Sequence, residues 1–484
     1  MSRIRSILCL AVLVASMGPF ARSAADIAPV TTPHVVVALI DTGINPYNVA
    51  FRDTSPQAYQ HPCTYIPNYP CSATRLDLTL DAPDYATAVQ DDDYIWVSVH
   101  PGQLYWVPGT RIIGLISMAP GGTRCPGPLD MSPINNVRGP SPCLENRGLD
   151  DFGHGTMTAS RAAGGVQGDP TLQHSLAPDA RIVEIEGLGA DSVKWAADQG
   201  WIDVQSNSWA ETVPGPASQT NVNATFKEAA SKMAVFAASG NGTGGSQGFA
   251  PDPADLESTH APGVISVGAH DNGRMALWSG SPPNVVADGY GGWMADYHSI
   301  TAYGPDSVAC CTSAASPYAA GGMARIMYEA RRILGSDQWG IHNGVVAQAP
   351  AGWPLPSSGP LSDGTFTLDE AKSLLLHTAE AHPAEGRDDG SLQWTAAGRA
   401  PTVEELGRGP ASNPYCNGCF NLPLGWYQLP DAGTLYPFVG YGAINERSIA
   451  RALDVMNGSI AEPARPLEDQ FFGYDNAIRN ALAK

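Results

Sequence analysis

Short apolar runs rich in β-branched residues alternate with segments of helical composition between residues 34 and 268. Five of the runs have the composition of strands, and they lie at residues 35–40, 181–185, 202–206, 234–238 and 264–267. Residues 192–199 and 224–232 have the composition of helices. The alternation predicts an α/β fold with a mostly parallel central sheet and helices on both faces, which binds ligands at the carboxyl ends of its strands.

Two polar residues lie at the boundaries of these segments. Asp41 directly follows the first apolar strand, and His154 lies between two glycines ahead of an alanine-rich stretch at residues 159–163. The glycines leave an imidazole edge open to a substrate. An Asp at a strand end also caps turns, however, and a lone His is more often structural than catalytic. Each residue alone leaves both interpretations open.

Two further polar residues follow apolar segments later in the chain. Asn241 lies in a Gly-Asn-Gly turn after the strand at 234–238, where ordinary turn chemistry also explains it. Ser313 precedes an amphipathic stretch at residues 318–334, and Pro317 favours a helix start there. Ser313 is therefore predicted just before a helix N-terminus, whose N–H groups stabilise a developing negative charge.

Composition and charge exclude several classes of protein. The chain has 484 residues, of which 43% are hydrophobic, which is enough for a large core and excludes a disordered protein. A formal net charge of -20 opposes binding to nucleic acid and to anionic lipid surfaces. The 52 glycines and 41 prolines argue against a helical bundle, because they favour many loops between sheet elements.

The first residues have the pattern of an export signal. Arg3 and Arg5 precede an apolar run at residues 7–17, and small residues follow at 23–25. The run is shorter than the roughly 20 residues that a membrane span needs, so residues 1–25 predict a cleaved signal peptide. We therefore expect a secreted protein, extracellular or periplasmic, without a membrane anchor.

The cysteine count agrees with export. Cys9 falls in the signal, which leaves eight of the nine cysteines, an even number that indicates disulfides in an oxidising compartment. Sequence proximity suggests the pairs Cys63–Cys71 and Cys125–Cys143, although spacing alone does not determine the pairing. The C-x-x-C spacing at residues 416–419 is typical of a structural disulfide in this setting, with a zinc or redox pair as the alternative.

Four short motifs occur in a fixed order along the chain. They are D-T-G at 41–43, G-H-G-T at 153–156, S-G-N-G at 239–242 and T-S-A-A-S-P at 312–317. With these motifs the chain resembles the subtilisin-like serine peptidases, the subtilases, and weaker similarities extend over residues 32–456. The resemblance implies one peptidase domain with a three-layer subtilisin-like fold.

The resemblance also implies a role for each motif. Asp41, His154 and Ser313 correspond to the catalytic triad, and Asn241 corresponds to the oxyanion-hole amide. The positions that correspond to the substrate-binding segments are Ser208, Trp209, Ala210, Ser239 and Gly240. This chemistry requires no cofactor. We expect a protein or peptide substrate, no nucleic-acid partner and a monomer.

Metal binding is expected only in a structural role, and no metal-ligand residues are assigned. The family often carries structural calcium, and the acidic clusters at residues 91–93 and 150–151 have suitable oxygen ligands. A spaced calcium-binding loop is missing from the sequence, so solvated acidic turns are the alternative interpretation of both clusters.

Three features depart from the family pattern. Cys311 stands where the family usually has Gly, and with Cys310 it forms a vicinal disulfide, two distant disulfides or a free thiol. Trp209 and Ala210 replace the usual Leu and Gly, so Trp209 either narrows the substrate preference or is a core residue. Only about 15 residues separate the signal from Asp41, so we expect folding without the family's propeptide.

Insertions also set the chain apart. The 113 positions between Asp41 and His154 predict a large insertion at residues 46–146. Within this insertion, residues 94–99 and 111–116 have strand composition and suggest a small disulfide-stapled subdomain. Further insertions are predicted at 340–363 and 383–435, followed by a C-terminal tail at 457–484. These segments either restrict access to large substrates or are surface loops.

The sequence thus predicts a secreted serine endopeptidase that uses an Asp-His-Ser triad and an Asn oxyanion hole. Two alternatives stay open. The first is a catalytically silent subtilase fold that binds peptides or proteins, which the changes at positions 209–210 and 311 favour. The second is a protease of narrow specificity that matures one secreted partner.

Overall fold

The computed structural model describes residues 34–76, 101–118, 150, 153–166, 169–173, 175–209, 216–241, 263–271, 274–276, 279, 283–289, 294–296, 303–304, 311–380, 421–423, 426–428, 435–437 and 440–465. The α-helices of these residues are α1 His154–Ala163, α2 Ala190–Asp198, α3 Pro216–Lys232, α4 Thr312–Leu334, α5 Leu368–His377 and α6 Glu446–Met456. The strands are β1 Val36–Asp41, β2 Thr74–Arg75, β3 Tyr105–Trp106, β4 Ile112–Ser117, β5 Gly165–Val166, β6 Asp169–Gln173, β7 Arg181–Glu186, β8 Val204–Asn207, β9 Ala234–Ala238, β10 Ile265–Asp271, β11 Arg274–Ala276, β12 Val285–Asp288, β13 Met294–Ala295, β14 Tyr303–Gly304, β15 Val345–Gln348, β16 Thr365–Thr367, β17 Asn421–Pro423, β18 Trp426–Gln428, β19 Leu435–Pro437 and β20 Ala443–Ile444.

One sheet organises the molecule. Its strands run in the order β17-β11-β10-β9-β8-β1-β7-β4-β3-β2, with β12 paired to β10 and β20 paired to β12. Every neighbouring pair from β20 through β12, β10, β9, β8, β1 and β7 to β4 is parallel. The expected mostly parallel central sheet is therefore confirmed.

Helices cover both faces of this sheet. α1 and α4 pack against each other, and α4 also contacts β8, β9, β10 and β12. α2 and α3 form the other helical pair, with α2 on β1 and α3 on β9. All six residues of β1 are buried, as expected for a strand covered on both faces. The result is the three-layer α/β architecture. Within the described part of the chain, no helix is both long and apolar enough to span a membrane.

The apolar patterns locate the strands to within a few residues, but α4 begins earlier than predicted. The helix starts at Thr312, six positions before the predicted stretch at 318–334, so Pro317 lies inside it. Proline has no N–H for the carbonyl four residues earlier, which here belongs to Ser313. That carbonyl instead accepts a hydrogen bond from the Ser208 hydroxyl at 3.0 Å. This substitute donor lets the helix continue through the proline.

The long excursion after β1 contributes to the central sheet. β4, predicted as residues 111–116, pairs with β7, and the short strands β2 and β3 extend the sheet beyond it instead of forming a separate unit. The predicted Cys63–Cys71 disulfide is present. The predicted strand at 94–99 and the cysteines at 125, 143, 416 and 419 lie outside the described residues.

A buried ion pair lies at the amino ends of the central strands. The guanidinium of Arg331 on α4 donates to both carboxylate oxygens of Asp203, at 2.6 and 3.1 Å. The same carboxylate accepts the N–H of Val36, the first residue of β1, at 3.0 Å. Neither charged side chain has any exposed surface. The pair therefore ties α4 to the beginnings of β1 and β8, at the edge of the sheet opposite Asp41.

Candidate active site

Asp41 is held at the carboxyl end of the central strand. It is the last residue of β1 and is 2% exposed. Its Oδ1 accepts the N–H of Thr42 at 2.8 Å, and its Oδ2 accepts the hydroxyl of Thr158 on α1 at 3.0 Å. Hydrogen bonds to both oxygens fix the plane of the carboxylate and stabilise its charge.

His154 begins α1 and faces this carboxylate. Its Nδ1 lies 2.6 Å from Asp41 Oδ1, although 113 positions separate the two residues in the chain. Gly153 precedes it with a φ of 94°, a left-handed conformation that favours glycine and turns the chain into the helix. Since Nδ1 pairs with Asp41, Nε2 is the nitrogen left to accept a proton. The two sequence-predicted residues are thus brought together in the expected geometry.

The charge state of His154 is set by opposing effects. Burial lowers the pKa of the imidazole, but the charge of Asp41, its hydrogen bond and the charge of Asp150 outweigh burial, so the pKa is raised. The imidazole keeps 15% of its side-chain surface exposed. A neutral ring in this position is a base whose protonated form is stabilised by the carboxylate behind it.

Asp150 caps the helix that carries His154. Its Oδ1 accepts the N–H of Gly153 and its Oδ2 the N–H of Thr156, both at 2.7 Å, and Oδ1 also accepts the Thr42 hydroxyl at 2.9 Å. Burial raises the pKa of Asp150, against these hydrogen bonds, which lower it. The interpretation of Asp150 as a solvated turn residue is wrong, because the residue is only 8% exposed.

Ser313 lies in the first turn of α4, close to the end of β8. Its hydroxyl donates to the Ser208 carbonyl at 3.3 Å, and the Ser208 hydroxyl donates back to the Ser313 carbonyl. Among the described residues, no hydrogen bond joins Ser313 to His154. The helices that carry the two residues nevertheless contact each other, since Met157 and Ala314 pack in one buried cluster. This packing places Ser313 and His154 on neighbouring helices.

Asn241 follows β9 and is oriented by the residue before Ser313. Its Oδ1 accepts the N–H of Thr312 at 3.0 Å and the Thr312 hydroxyl at 2.7 Å. With the oxygen engaged twice, the amide NH₂ is the end of the side chain left to donate. Asn241 is exposed, so this donor is accessible to a ligand.

The predicted substrate-binding residues lie beyond two adjacent strands. Ser208 and Trp209 follow β8, and Ser239 and Gly240 follow β9, which places all four at the carboxyl edge because β8 and β9 are parallel. The N–H of Ser239 donates to the carbonyl of Val267 on the neighbouring strand β10 at 2.9 Å. Ala210 lies outside the described residues.

Trp209 faces the protein interior. It packs against the main hydrophobic core, with its ring centroid 6.0 Å from that of Phe226 on α3. Since half-buried aromatic contacts of this kind stabilise a core, the geometry favours the interpretation of Trp209 as a packing residue over a direct substrate contact.

Cys311 adopts a glycine-like backbone immediately before the serine helix. Its φ of 80° and ψ of -148° lie in a region that only glycine adopts readily, which explains why the family pattern has Gly there. The Cys311 sulfur is in a disulfide, which excludes the free thiol at this position. Cys310 lies outside the described residues.

Sequence reasoning missed two residues that support Asp41 and His154. Thr158 lies four positions after His154, so both lie on the same side of α1, and this spacing would have identified it. Asp150 precedes the helix as an acidic residue at an N-terminus, which is a capping signal. Within the described ranges, no group of three or more His, Cys, Asp or Glu side chains is placed to hold a metal ion.

Comparison with known proteins gives a family match. The family model described as the subtilase family matches residues 32–398. Among solved structures, the chain is similar to a psychrophilic protease, with 17% sequence identity over 62% of this chain and 78% of that chain and a TM-score of 0.34. The curated protein sequences contain no match to the chain.

Proposed function

Since the chain belongs to the subtilase family of serine peptidases, we propose that it is a secreted serine endopeptidase whose triad is Asp41, His154 and Ser313. The observation that carries this proposal is the 2.6 Å hydrogen bond between Asp41 and the Nδ1 of His154 at the carboxyl edge of the sheet. A buried carboxylate that orients an imidazole in this way prepares Nε2 to act as a base.

The first half of the reaction forms an acyl-enzyme. His154 Nε2 takes the proton of Ser313 as its Oγ attacks the peptide carbonyl carbon, and Asp41 stabilises the resulting imidazolium. The imidazolium then gives the proton to the leaving amine as the peptide bond breaks. In the second half, His154 removes a proton from water, which attacks the acyl carbon. The same proton returns to Ser313 Oγ as the ester bond breaks and the acid product leaves.

The negative oxygen of each tetrahedral intermediate needs hydrogen-bond donors. The Asn241 amide and the N–H of Ser313, in the first turn of α4, supply them. Asn241 is suited to this because Thr312 holds its oxygen and directs its NH₂ away. One donor of this kind contributes about 3 kcal/mol of transition-state stabilisation.

Secretion and the choice of partners follow from other features. The export pattern at residues 1–25 and the even number of remaining cysteines support an extracellular or periplasmic location. The substrate is a protein or peptide, and the enzyme acts as a monomer without a catalytic cofactor. Calcium, if bound, has a structural role only.

Labelling with a fluorophosphonate probe tests the catalytic assignment. The purified protein is treated with the probe and mapped by mass spectrometry, beside Ser313→Ala and the matched control Ser316→Ala, a buried serine one turn further along α4. We expect labelling at Ser313 in the unaltered protein and in the control, and none in Ser313→Ala. Folded protein that stays unlabelled supports the silent binding scaffold instead.

A panel of denatured proteins tests the breadth of cleavage. General endopeptidase activity gives many internal cleavage sites, which disappear with Ser313→Ala. Cleavage of one protein at one site supports the narrow maturation role, and release of terminal residues only contradicts an endopeptidase.

A further inference from the structure

A carboxyl group outside the triad is buried next to the Asp41–His154 pair. Glu184 lies in the middle of β7, between Leu39 of β1 and Leu115 of β4, and has no exposed surface. Its strand neighbours Val183 and Ile185 are apolar, as expected for a central strand. A fully buried glutamate in such a strand is rare unless it has a function or a partner.

Glu184 lies close to the backbone that follows each residue of the Asp41–His154 pair. Its Oε1 accepts the N–H of Gly43, two residues after Asp41, at 3.3 Å. The same oxygen lies 3.0 Å from the position that a Cβ on Gly155 would occupy, next to His154. The carboxyl group therefore fills the space between the turn that follows β1 and the first turn of α1.

The surroundings of Glu184 oppose a negative charge. The ionisable groups that act on it are Asp41 on β1, Asp150 before α1 and Glu186 on its own strand, all acidic. His154, hydrogen-bonded to Asp41, is the nearby base. Among the described residues, Glu184 has no ion pair with Lys or Arg, and its Oε2 has no hydrogen-bond partner. A buried carboxylate with no cation and with one backbone N–H as its donor, that of Gly43, is strongly disfavoured, which favours the neutral form of the group. In agreement, burial, followed by the charges of Asp41 and Asp150, raises the pKa of Glu184 well above its usual value.

Building on the proposed function, we propose that Glu184 is a positioning residue of the triad. Its neutral carboxyl group holds Gly43 beneath the first turn of α1 and thereby fixes Asp41 relative to His154. Because the group is neutral, it does so without placing a second negative charge behind the imidazole. A charged group there would stabilise the imidazolium and raise the pKa of His154 further, so that less of the imidazole is neutral and able to accept the serine proton at neutral pH.

Two substitutions distinguish the effect of the Glu184–Gly43 hydrogen bond from the effect of the charge on Glu184. Glu184→Gln keeps an acceptor for Gly43 and is always neutral, whereas Glu184→Leu fills the space without an acceptor. Glu380→Gln is the matched control, since Glu380 is another fully buried carboxyl, located after α5. Each variant is measured for kcat and KM on a peptide substrate. In the Ser313→Ala background, which excludes self-digestion, the pKa of His154 is measured by NMR.

We expect Glu184→Gln to retain kcat within about threefold and to change the His154 pKa by less than about 0.5 pH unit. Glu184→Leu should lower kcat about tenfold or more with KM nearly unchanged, since small displacements of a catalytic pair are costly. The proposal is overturned if Glu184→Gln lowers the His154 pKa by about one pH unit, or if Glu184→Leu keeps normal kcat. If Glu184→Leu does not fold, the Glu184→Gln titration decides. Absence of Ser313 labelling in the unaltered protein refutes the proposed function instead, and the NMR titration still reports on Glu184.

Discussion

A Cβ atom at position 155 would lie 2.0 Å from the carbonyl oxygen of Gly43, so the backbones of these two glycines are in direct contact. Gly155 follows His154, and Gly43 lies two residues after Asp41. The N–H of Gly155 also donates to the Thr42 hydroxyl at 2.9 Å. This close approach allows the first turn of α1 to rest on the end of β1, and it is the reason that a glycine follows the histidine.

Replacing Gly155 with alanine should therefore separate the two segments. We expect Gly155→Ala to lower kcat at least about a hundredfold, because the backbone must shift by an ångström or more at the Asp41–His154 pair. Steady-state kinetics of the purified variant provide the measurement. Gly189→Ala is the matched control, since a Cβ there meets no atom within 4 Å. Normal kcat in Gly155→Ala would show that the pair tolerates this displacement.

The hydroxyl of Ser208 compensates for the proline in the serine helix. Ser208→Ala leaves the buried Ser313 carbonyl without a donor, so we expect a loss of about 1–3 kcal/mol in the free energy of unfolding and a lower kcat. Urea unfolding and kinetics measure the two effects. Ser231→Ala, which removes an exposed hydroxyl bonded to the Glu228 carbonyl, should change stability by less than about 0.5 kcal/mol. Equal stability of both variants would contradict this role.

The pH dependence of activity follows from the environment of His154. Its pKa is raised above 6.5, and the proposed reaction requires a neutral imidazole to remove the serine proton. We therefore expect kcat/KM to increase with pH and to reach its half-maximal value above pH 6.5. An activity that is already at its plateau at pH 6 would mean that burial, which lowers the pKa, outweighs the charge of Asp41.

A buried lysine on α5 offers a test of stability away from the site. Burial lowers the pKa of Lys372 to about 8, and its ammonium donates to the Ala230 carbonyl at 2.9 Å. The charged form is penalised in the folded protein below pH 8, so we expect Lys372→Met to raise the free energy of unfolding at pH 7 by about 1–2 kcal/mol.

The advantage of Lys372→Met should shrink as pH rises. Above pH 8 the folded protein loses the lysine proton before the unfolded chain does, so the unaltered protein gains stability with pH. Urea unfolding at pH 7 and pH 9.5 measures this change. Lys194→Met, at an exposed position on α2, should show no such trend. A destabilised Lys372→Met at pH 7 would mean that the Ala230 hydrogen bond outweighs the burial of charge.

The sequence predicted those features that depend on local patterns. Asp41 and Asn241 were located because each ends an apolar run, and a polar residue after a buried strand must lie at the sheet edge. The beginning of α4 was misplaced because Pro317 marks a helix start by local rules. Only the tertiary hydrogen bond from Ser208 makes its interior position acceptable.

Features that depend on long-range contacts were not predictable. Glu184 is one glutamate in a strand, and nothing near it in sequence reveals that Gly43, 141 positions away, donates to its carboxyl group. The acidic residue next to Asp150 in the sequence suggests a solvated turn. Asp150 is buried instead, because α1 packs on the turn after β1. Such positions depend on which distant segments become neighbours in the folded chain, and the apolar pattern of a single strand does not specify its neighbours.

The buried pair of Arg331 and Asp203 divides α4 into two parts with different constraints. Breaking such a pair costs about 3–5 kcal/mol, so substitutions near Arg331 are limited by folding. The turn that carries Ser313 lies at the opposite end of the same helix, more than four turns away, and does not share this anchor. Hydrogen bonds with Ser208 and Asn241 hold that turn instead, so the two ends of one helix are fixed by separate sets of partners.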